Sequence, residues 1–142
     1  MPSKLPFVRL AQPNEGPLLH HLALASGKWE IEGLDWNFDP FPYWLVAELD
    51  GEAVGCVQMC PSRPFAFLEF LSLLPGLSQR DKGIVVRDMC NAARQRCKSM
   101  GAQFVSLTVQ PDLDNWVRVL ERRGAFKWYD GGTAMLMRSD DV

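Results

Sequence analysis

"FAFLEFLSLLPGLSQRDKGIVVRDMCNAARQRCKSMGAQFVSLTV" (Phe65–Val109) is the stretch that decides the fold. It opens with a run that is apolar almost throughout, as expected of a central strand buried on both faces. Pro75 and Gly76 break that run. Apolar residues then recur at helical spacing from about Gly83 to Met100, and Gly101 is placed as the residue just past the helix. "AQFVSLTVQ" reads as a further strand. Strand, helix and strand in this order predict two parallel neighbours in one sheet, joined by a crossover helix.

The flanking sequence extends that unit. Toward the N-terminus, "YWLVAEL", the turn Asp50-Gly51 and "EAVGCVQMC" give a strong hairpin signal. "FVRLAQ" (Phe7–Gln12) alternates and reads as a first strand. A helix follows with Asn14 as its cap, Pro17 in its first turn, Leu18, Leu19, Leu22, Ala23 and Ala25 on its buried face, and Gly27 at its end. Toward the C-terminus, "LDNWVRVLERR" reads as a helix capped by Asp112 and stopped by Gly124. "AFKWYD" and "TAMLMR" then form a closing hairpin. The predicted class is α/β (α+β): a mixed, strongly twisted sheet of about six to seven strands with helices on both faces. The whole chain, 1–142, reads as one domain.

Composition narrows the function. With 47% hydrophobic and 23% charged residues, the chain is an ordinary globular one. A net charge of −2 argues against a nucleic-acid binder working through a basic face. There is no apolar run of membrane-spanning length and no secretory pattern at "MPSKLPFVRLAQ", so the expected compartment is the cytoplasm, with no membrane partner. The four cysteines lack C-x-x-C spacing and His20-His21 diverge on a helix, so reduced core thiols are expected and no metal site. A homodimer is compatible with this composition.

Where the crossover helix begins, Arg80 and Lys82 approach Gly83, and Arg87 lies one turn on. A helix N-terminus carries unpaired N–H groups and about half a positive charge, so the site suits a phosphate or pyrophosphate. By themselves such residues more often form just a turn with a solvated surface.

Arg80-Asp81-Lys82-Gly83-Ile84-Val85 follows the R/Q-x-x-G-x-G/A signature of the GCN5-related N-acetyltransferases, the GNAT superfamily, up to its last position. "VAELDGEAVGCVQM" and "LERRGAF" also resemble stretches of that family, and the resemblance covers nearly the whole chain. It implies acetyl-CoA as co-substrate, with its pyrophosphate on the amides from Arg80 through Asp81, Lys82, Gly83 and Ile84 to Val85, and with Leu73 contributing from the preceding strand. It also implies transfer to a primary amine of a small molecule or protein. The sequence departs from the pattern at Val85, where the family has glycine or alanine, and at Leu120, where it commonly has the tyrosine that protonates the departing thiolate.

Acetyl transfer needs a neutral amine, and deprotonating a lysine-like amine at neutral pH costs roughly 4 to 5 kcal/mol. Glu69, the one acid inside "FAFLEFLSLL", is the candidate base, with burial expected to raise its pKa. Its alternative is an edge position or an ion pair. Tyr129 is the candidate acid, its alternative a strand aromatic beside Trp128. Cys56 and Cys60 have no basic partner that would make either a thiol acyl carrier. In "WEIEGLDWNFD", which lies where the family usually lines its acceptor site, Glu30, Glu32, Asp35 and Trp36, with Trp29, Phe38 and Asp39, can hold a cation through charge and ring faces. The same segment also reads as a solvated acidic loop. An acetyltransferase and a catalytically silent acyl-CoA-binding or protein-interaction module of the same fold both remain open.

Overall fold

The structure is a computed structural model that describes residues 6–26, 35–109, 118, 121–122, 126–129 and 133–138. In chain order the elements are β1 (Pro6–Leu10), α1 (Gly16–Ala25), β2 (Trp44–Leu49), β3 (Glu52–Ser62), β4 (Phe65–Leu73), α2 (Gln79–Ser99), β5 (Phe104–Val109), β6 (Phe126–Tyr129) and β7 (Thr133–Arg138). The strands form a mixed seven-stranded sheet in the order β1-β2-β3-β4-β5-β7-β6. Of the helix expected over "LDNWVRVLERR", Arg118, Glu121 and Arg122 are described and helical. Asp112, Leu120 and Gly124 lie outside the described residues, as does Gly27. Among the described residues no helix is long and apolar enough to cross a membrane.

Contacts divide the chain into two compact units, Met1–Gln58 with Phe70–Cys90, and Met59–Glu69 with Asn91–Val142. In the first, β2 and β3 form the expected antiparallel hairpin, and Asp50 and Gly51 both take positive φ (52° and 78°), as a two-residue primed turn requires. β1 pairs antiparallel with β2 at the sheet edge. Its Arg9 fastens three elements. The Nε donates to Glu48 on β2 at 2.7 Å, while Nη1 and Nη2 grip the two oxygens of Glu15 at 2.6 and 2.9 Å. Glu15 also accepts the Gln12 N–H at 2.8 Å and precedes α1, so it takes the place expected for Asn14 at the helix entrance. Leu19, Leu22 and Ala23 of α1 are buried as expected.

Gly55 on β3 lets two chains come close. A Cβ there would stand 2.9 Å from the Ser72 carbonyl oxygen and from Leu73 Cδ2, and 3.3 Å from the end of Met89. Only hydrogen fits without moving backbone.

In the second unit, β4 and β5 run parallel, Phe65 opposite Phe104 through Leu68 opposite Leu107. β7 lies antiparallel between β5 and β6. The expected pairing of the two strands flanking the crossover helix is therefore present. Burial on both faces is not: Ala66 and Leu68 are buried, Phe65 and Phe67 are half-buried, and Glu69 is exposed. The end of α2 follows the expectation for Gly101. Its φ is 91°, its N–H donates to the Lys98 carbonyl at 3.0 Å, and the Ala102 N–H reaches Cys97 at 3.0 Å. That is the paired bond pattern of a Schellman end. Arg63 closes over it, Nε donating to the Met100 carbonyl at 3.1 Å.

Two stability predictions follow from these contacts. Gly55→Val should cost about 1–3 kcal/mol, read by urea or thermal unfolding, because the added side chain meets backbone. Arg9→Met should cost about 2 kcal/mol near pH 7, since it strips charged hydrogen bonds from two carboxylates. Arg9's hydrogen bond holds the Glu15 carboxyl below its ordinary value against an opposing desolvation. A depressed carboxyl stabilises the fold above its unfolded pKa and loses that contribution as pH falls through its folded value. The gap between wild type and Arg9→Met should therefore be constant above about pH 5 and close as pH drops below about 4.

Candidate functional site

The expected anion site lies at the start of α2, and the structure redraws its edges. Pro75 and Gly76 form an exposed loop after β4. Ser78 then caps the helix. Its hydroxyl accepts the Asp81 N–H at 3.1 Å and its carbonyl accepts the Lys82 N–H at 2.9 Å. The helix consequently starts at Gln79, a full turn before Gly83. The N–H groups of Gly83, Ile84 and Val85 then fall inside the helix, where each is spent on the carbonyl four residues earlier. The expectation that the cradle runs from Arg80 to Val85 is corrected on this point. The N–H groups that lead the helix are those of Gln79 and Arg80.

Side chains complete this entrance. Arg80 is exposed, Lys82 and Ile84 are half-buried, and Leu73 is half-buried at the end of β4. Val85 is fully buried, so it serves the core and does not crowd the helix entrance. Asp81 occupies the first turn, where a carboxylate suits the helix dipole but opposes a second anion. The cap was legible in the Ser78-x-x-Asp81 spacing, a helix-start pattern.

Just upstream, β4 contains a left-handed step. Phe70 has φ of 56°, a conformation that costs a bulky residue about 1–2 kcal/mol. Contacts from Ser72, Trp44 and Trp36 help to hold it. The Ser72 hydroxyl donates to the Phe70 carbonyl at 2.9 Å. The Phe70 ring stacks on Trp44 at 6.0 Å and meets Trp36 edge-on at 6.2 Å. Aromatic pairs of this kind contribute about 0.5–1.5 kcal/mol each beyond area burial, enough together to hold the step.

Trp36 is thereby reassigned. It is only 8% exposed, and its ring is shared among Phe70, Trp44, Phe38 and a parallel His20 at 5.3 Å. Its faces serve the core, which corrects the reading of Trp36 as an open cation surface. Asp35 and Asp39 are exposed, and each accepts the N–H two residues ahead, from Asn37 at 2.9 Å and Phe41 at 3.0 Å. They shape their own turns. Trp29, Glu30 and Glu32 lie outside the described residues.

The two acid–base candidates are not brought together. Glu69 is exposed, so the burial expected to tune it is absent. Burial first, and the Glu69 charge second, raise the Cys60 thiol above its ordinary value. Tyr129 stands on β6 opposite Ala134, itself opposite Thr108. With β5 and β7 between β4 and β6, the two residues are roughly 14 Å apart across the sheet. The thiols are held protonated. Burial pushes Cys56 up to about 12 and Cys97 up to about 11, which suits core packing and not acyl carriage. Among the described residues no group of His, Cys, Asp and Glu could hold a metal ion.

Comparison with known proteins bears on this arrangement. The chain resembles the diaminobutyrate acetyltransferase EctA from Paenibacillus lautus, solved with L-2,4-diaminobutyric acid and coenzyme A, at 16% identity and a TM-score of 0.66 over 96% of each chain. It resembles the PaiA N-acetyltransferase from Thermoplasma acidophilum, in complex with coenzyme A, at 16% identity and a TM-score of 0.68, over 94% of this chain and 98% of that one. A GNAT-family acetyltransferase from Staphylococcus aureus gives a TM-score of 0.73 at 11% identity, over 94% and 99%. At such identities the likeness establishes the fold alone. No match is found among curated protein sequences. The model of the Acetyltransferase (GNAT) family, however, matches residues 13–125, and the chain belongs to that family.

Proposed function

We propose that this protein transfers an acetyl group from acetyl-CoA to a primary amine. The observation that carries the reading is the start of α2, where the leading N–H groups of Gln79 and Arg80 lie beside an exposed loop and Arg80 and Lys82 put two cations in the first turn. That combination suits a pyrophosphate, and two solved structures of this fold contain coenzyme A. Arg80, Asp81 and Lys82 form the rim of the proposed site, and Leu73 leads into it.

The reaction joins the amine nitrogen to the acetyl carbonyl carbon and breaks that carbon's bond to sulfur. The amine must first lose a proton. Glu69 is the proposed acceptor of it, directly or through a water, from its exposed position beside Phe70. The departing thiolate takes a proton from solvent, because Tyr129 stands across the sheet and Leu120 has no proton to give. A second reading, an acyl-CoA-binding module without turnover, is supported by Leu120 and by the commitment of the Gly83–Val85 amides to the helix.

Arg80→Glu should weaken acetyl-CoA binding at least tenfold by calorimetry, about 1.4 kcal/mol, and more at low salt. Unchanged affinity would move the donor site away from α2. Glu69→Gln should lower kcat/KM by about 10²-fold in a thiol-release assay against a panel of amines, leaving acetyl-CoA binding near wild type. Equal rates in wild type and variant would remove Glu69 from the mechanism. Tight binding with no turnover on any amine would favour the module.

A further inference from the structure

The connection between α1 and β2 presents a surface that contains neither the helix entrance nor Glu69. Its chain alternates as it approaches β2. Trp36 and Pro40 are buried and Phe38 is half-buried. Asp35, Asp39, Phe41 and Tyr43, between and beyond them, are exposed. Phe41 and Tyr43 keep 51% and 46% of their surface in solvent, and they are two of the four large apolar residues exposed among the described ones. Single exposed apolar residues are ordinary, but two rings on one side of a short segment form a patch.

The segment that carries this patch is braced. Behind it, Trp36 and Phe38 both pack on Trp44. Gly16 of α1 meets the Trp36 carbonyl so closely that no Cβ would fit, and that Cβ would also stand 3.2 Å from the Phe38 carbonyl oxygen. Asp35 and Asp39 each hold a turn through the N–H two residues ahead, and the Tyr43 N–H donates to the Pro40 carbonyl at 2.9 Å.

The charge around the rings has one sign. Asp35–Tyr43 holds two carboxylates and no lysine, arginine or histidine. Each carboxylate spends its Oδ1 on its turn, and among the described residues neither forms an ion pair. A carboxylate near an exposed ring suits a guanidinium or ammonium on an apolar stem, since the charge meets the acid while the stem covers the ring. An anionic membrane surface would be repelled.

We propose that this face is a docking surface for a basic segment of a partner protein: arginine or lysine side chains meet Asp35 and Asp39, and the apolar residues between them cover Phe41 and Tyr43. A free polyamine would satisfy the carboxylates and leave both rings in water, so the rings favour a polypeptide. The proposal uses no residue of the helix entrance and stands whether or not the protein transfers acetyl groups.

The test is fluorescence anisotropy with a short labelled peptide of alternating arginine and leucine, set against its glutamate–leucine counterpart. Wild type should bind the first and not the second, with an affinity that falls as salt is added. Asp35→Asn combined with Asp39→Asn keeps the oxygens that hold the turns and removes only charge. That variant should bind the basic peptide weaker by about fivefold or more and lose most of the salt dependence. Phe41→Ser combined with Tyr43→Ser should also weaken binding by about fivefold or more, yet keep the salt dependence. Thermal unfolding midpoints near that of wild type establish that both variants fold. Should the ring variant fail to fold, Phe41→Leu alone takes its place and should show a smaller loss. Wild type that binds neither peptide, or both alike, overturns the proposal, as does unchanged affinity in the asparagine variant. Spermine that displaces the basic peptide at equal concentration would show that charge alone suffices and would reject a protein segment as the occupant. Self-association of wild type by sedimentation, lost in the asparagine variant, would assign the face to a second copy of this chain instead.

Discussion

One backbone torsion organises the first unit of this protein. Phe70 sits at φ 56°, where a phenylalanine does not stay without help. The help comes from elements far apart in sequence: His20 on α1, Trp36 and Phe38 on the connection to β2, Trp44 on β2 and Ser72 on β4 itself. Each of those side chains is buried or half-buried. The cluster thus does two jobs with one set of rings. It supplies apolar burial that any small domain needs, and it fixes a step in the strand that leads to the helix entrance.

The helix entrance shows a different compromise. A serine cap satisfies the Asp81 N–H and an aspartate complements the dipole, so α2 starts cleanly and early. The same features reduce what backbone alone can offer an anion. An anion at this entrance would meet two leading amides, the exposed Arg80 and the half-buried Lys82 in place of a row of amides. Such a site leans on Coulombic attraction in solvent and is correspondingly sensitive to ionic strength.

The legible and illegible parts of the sequence divide along physical lines. The βαβ unit around Phe65–Val109 was readable because its periodicity switches from strand to helix and back, with Pro75, Gly76 and Gly101 as punctuation. The Asp50-Gly51 hairpin was readable because few residues accept two positive φ angles in a row. Local signals of that type survive folding. The role of Trp36 is not legible in the sequence, because composition alone cannot tell a ring that faces a ligand from one that faces four other rings. The exposure of Glu69 is not legible in its apolar run, which says nothing about which face of the sheet is covered and leaves burial and an edge position both open. α2 starts a turn before Gly83 because the Ser78 cap, bonded to the Asp81 N–H, sets the helix entrance, and a glycine by itself does not. The step at Phe70 left no trace, since a phenylalanine in αL obeys tertiary contacts and no local preference.

Arg9 carries a consequence beyond the ion pairs it forms. β1 is an outer strand of the sheet, and such strands present a row of backbone groups to any passing chain. This one begins with Pro6, which has no N–H to offer, and carries a charge in its interior. It also exposes Phe7, 62% accessible and inviting to a sticky neighbour. The guanidinium, held by Glu15 and Glu48, keeps ionic groups alongside that phenylalanine. It acts as a gatekeeper: the border of the sheet stays hydrated, and β-to-β stacking between molecules at high concentration is discouraged where the chain is most open to it.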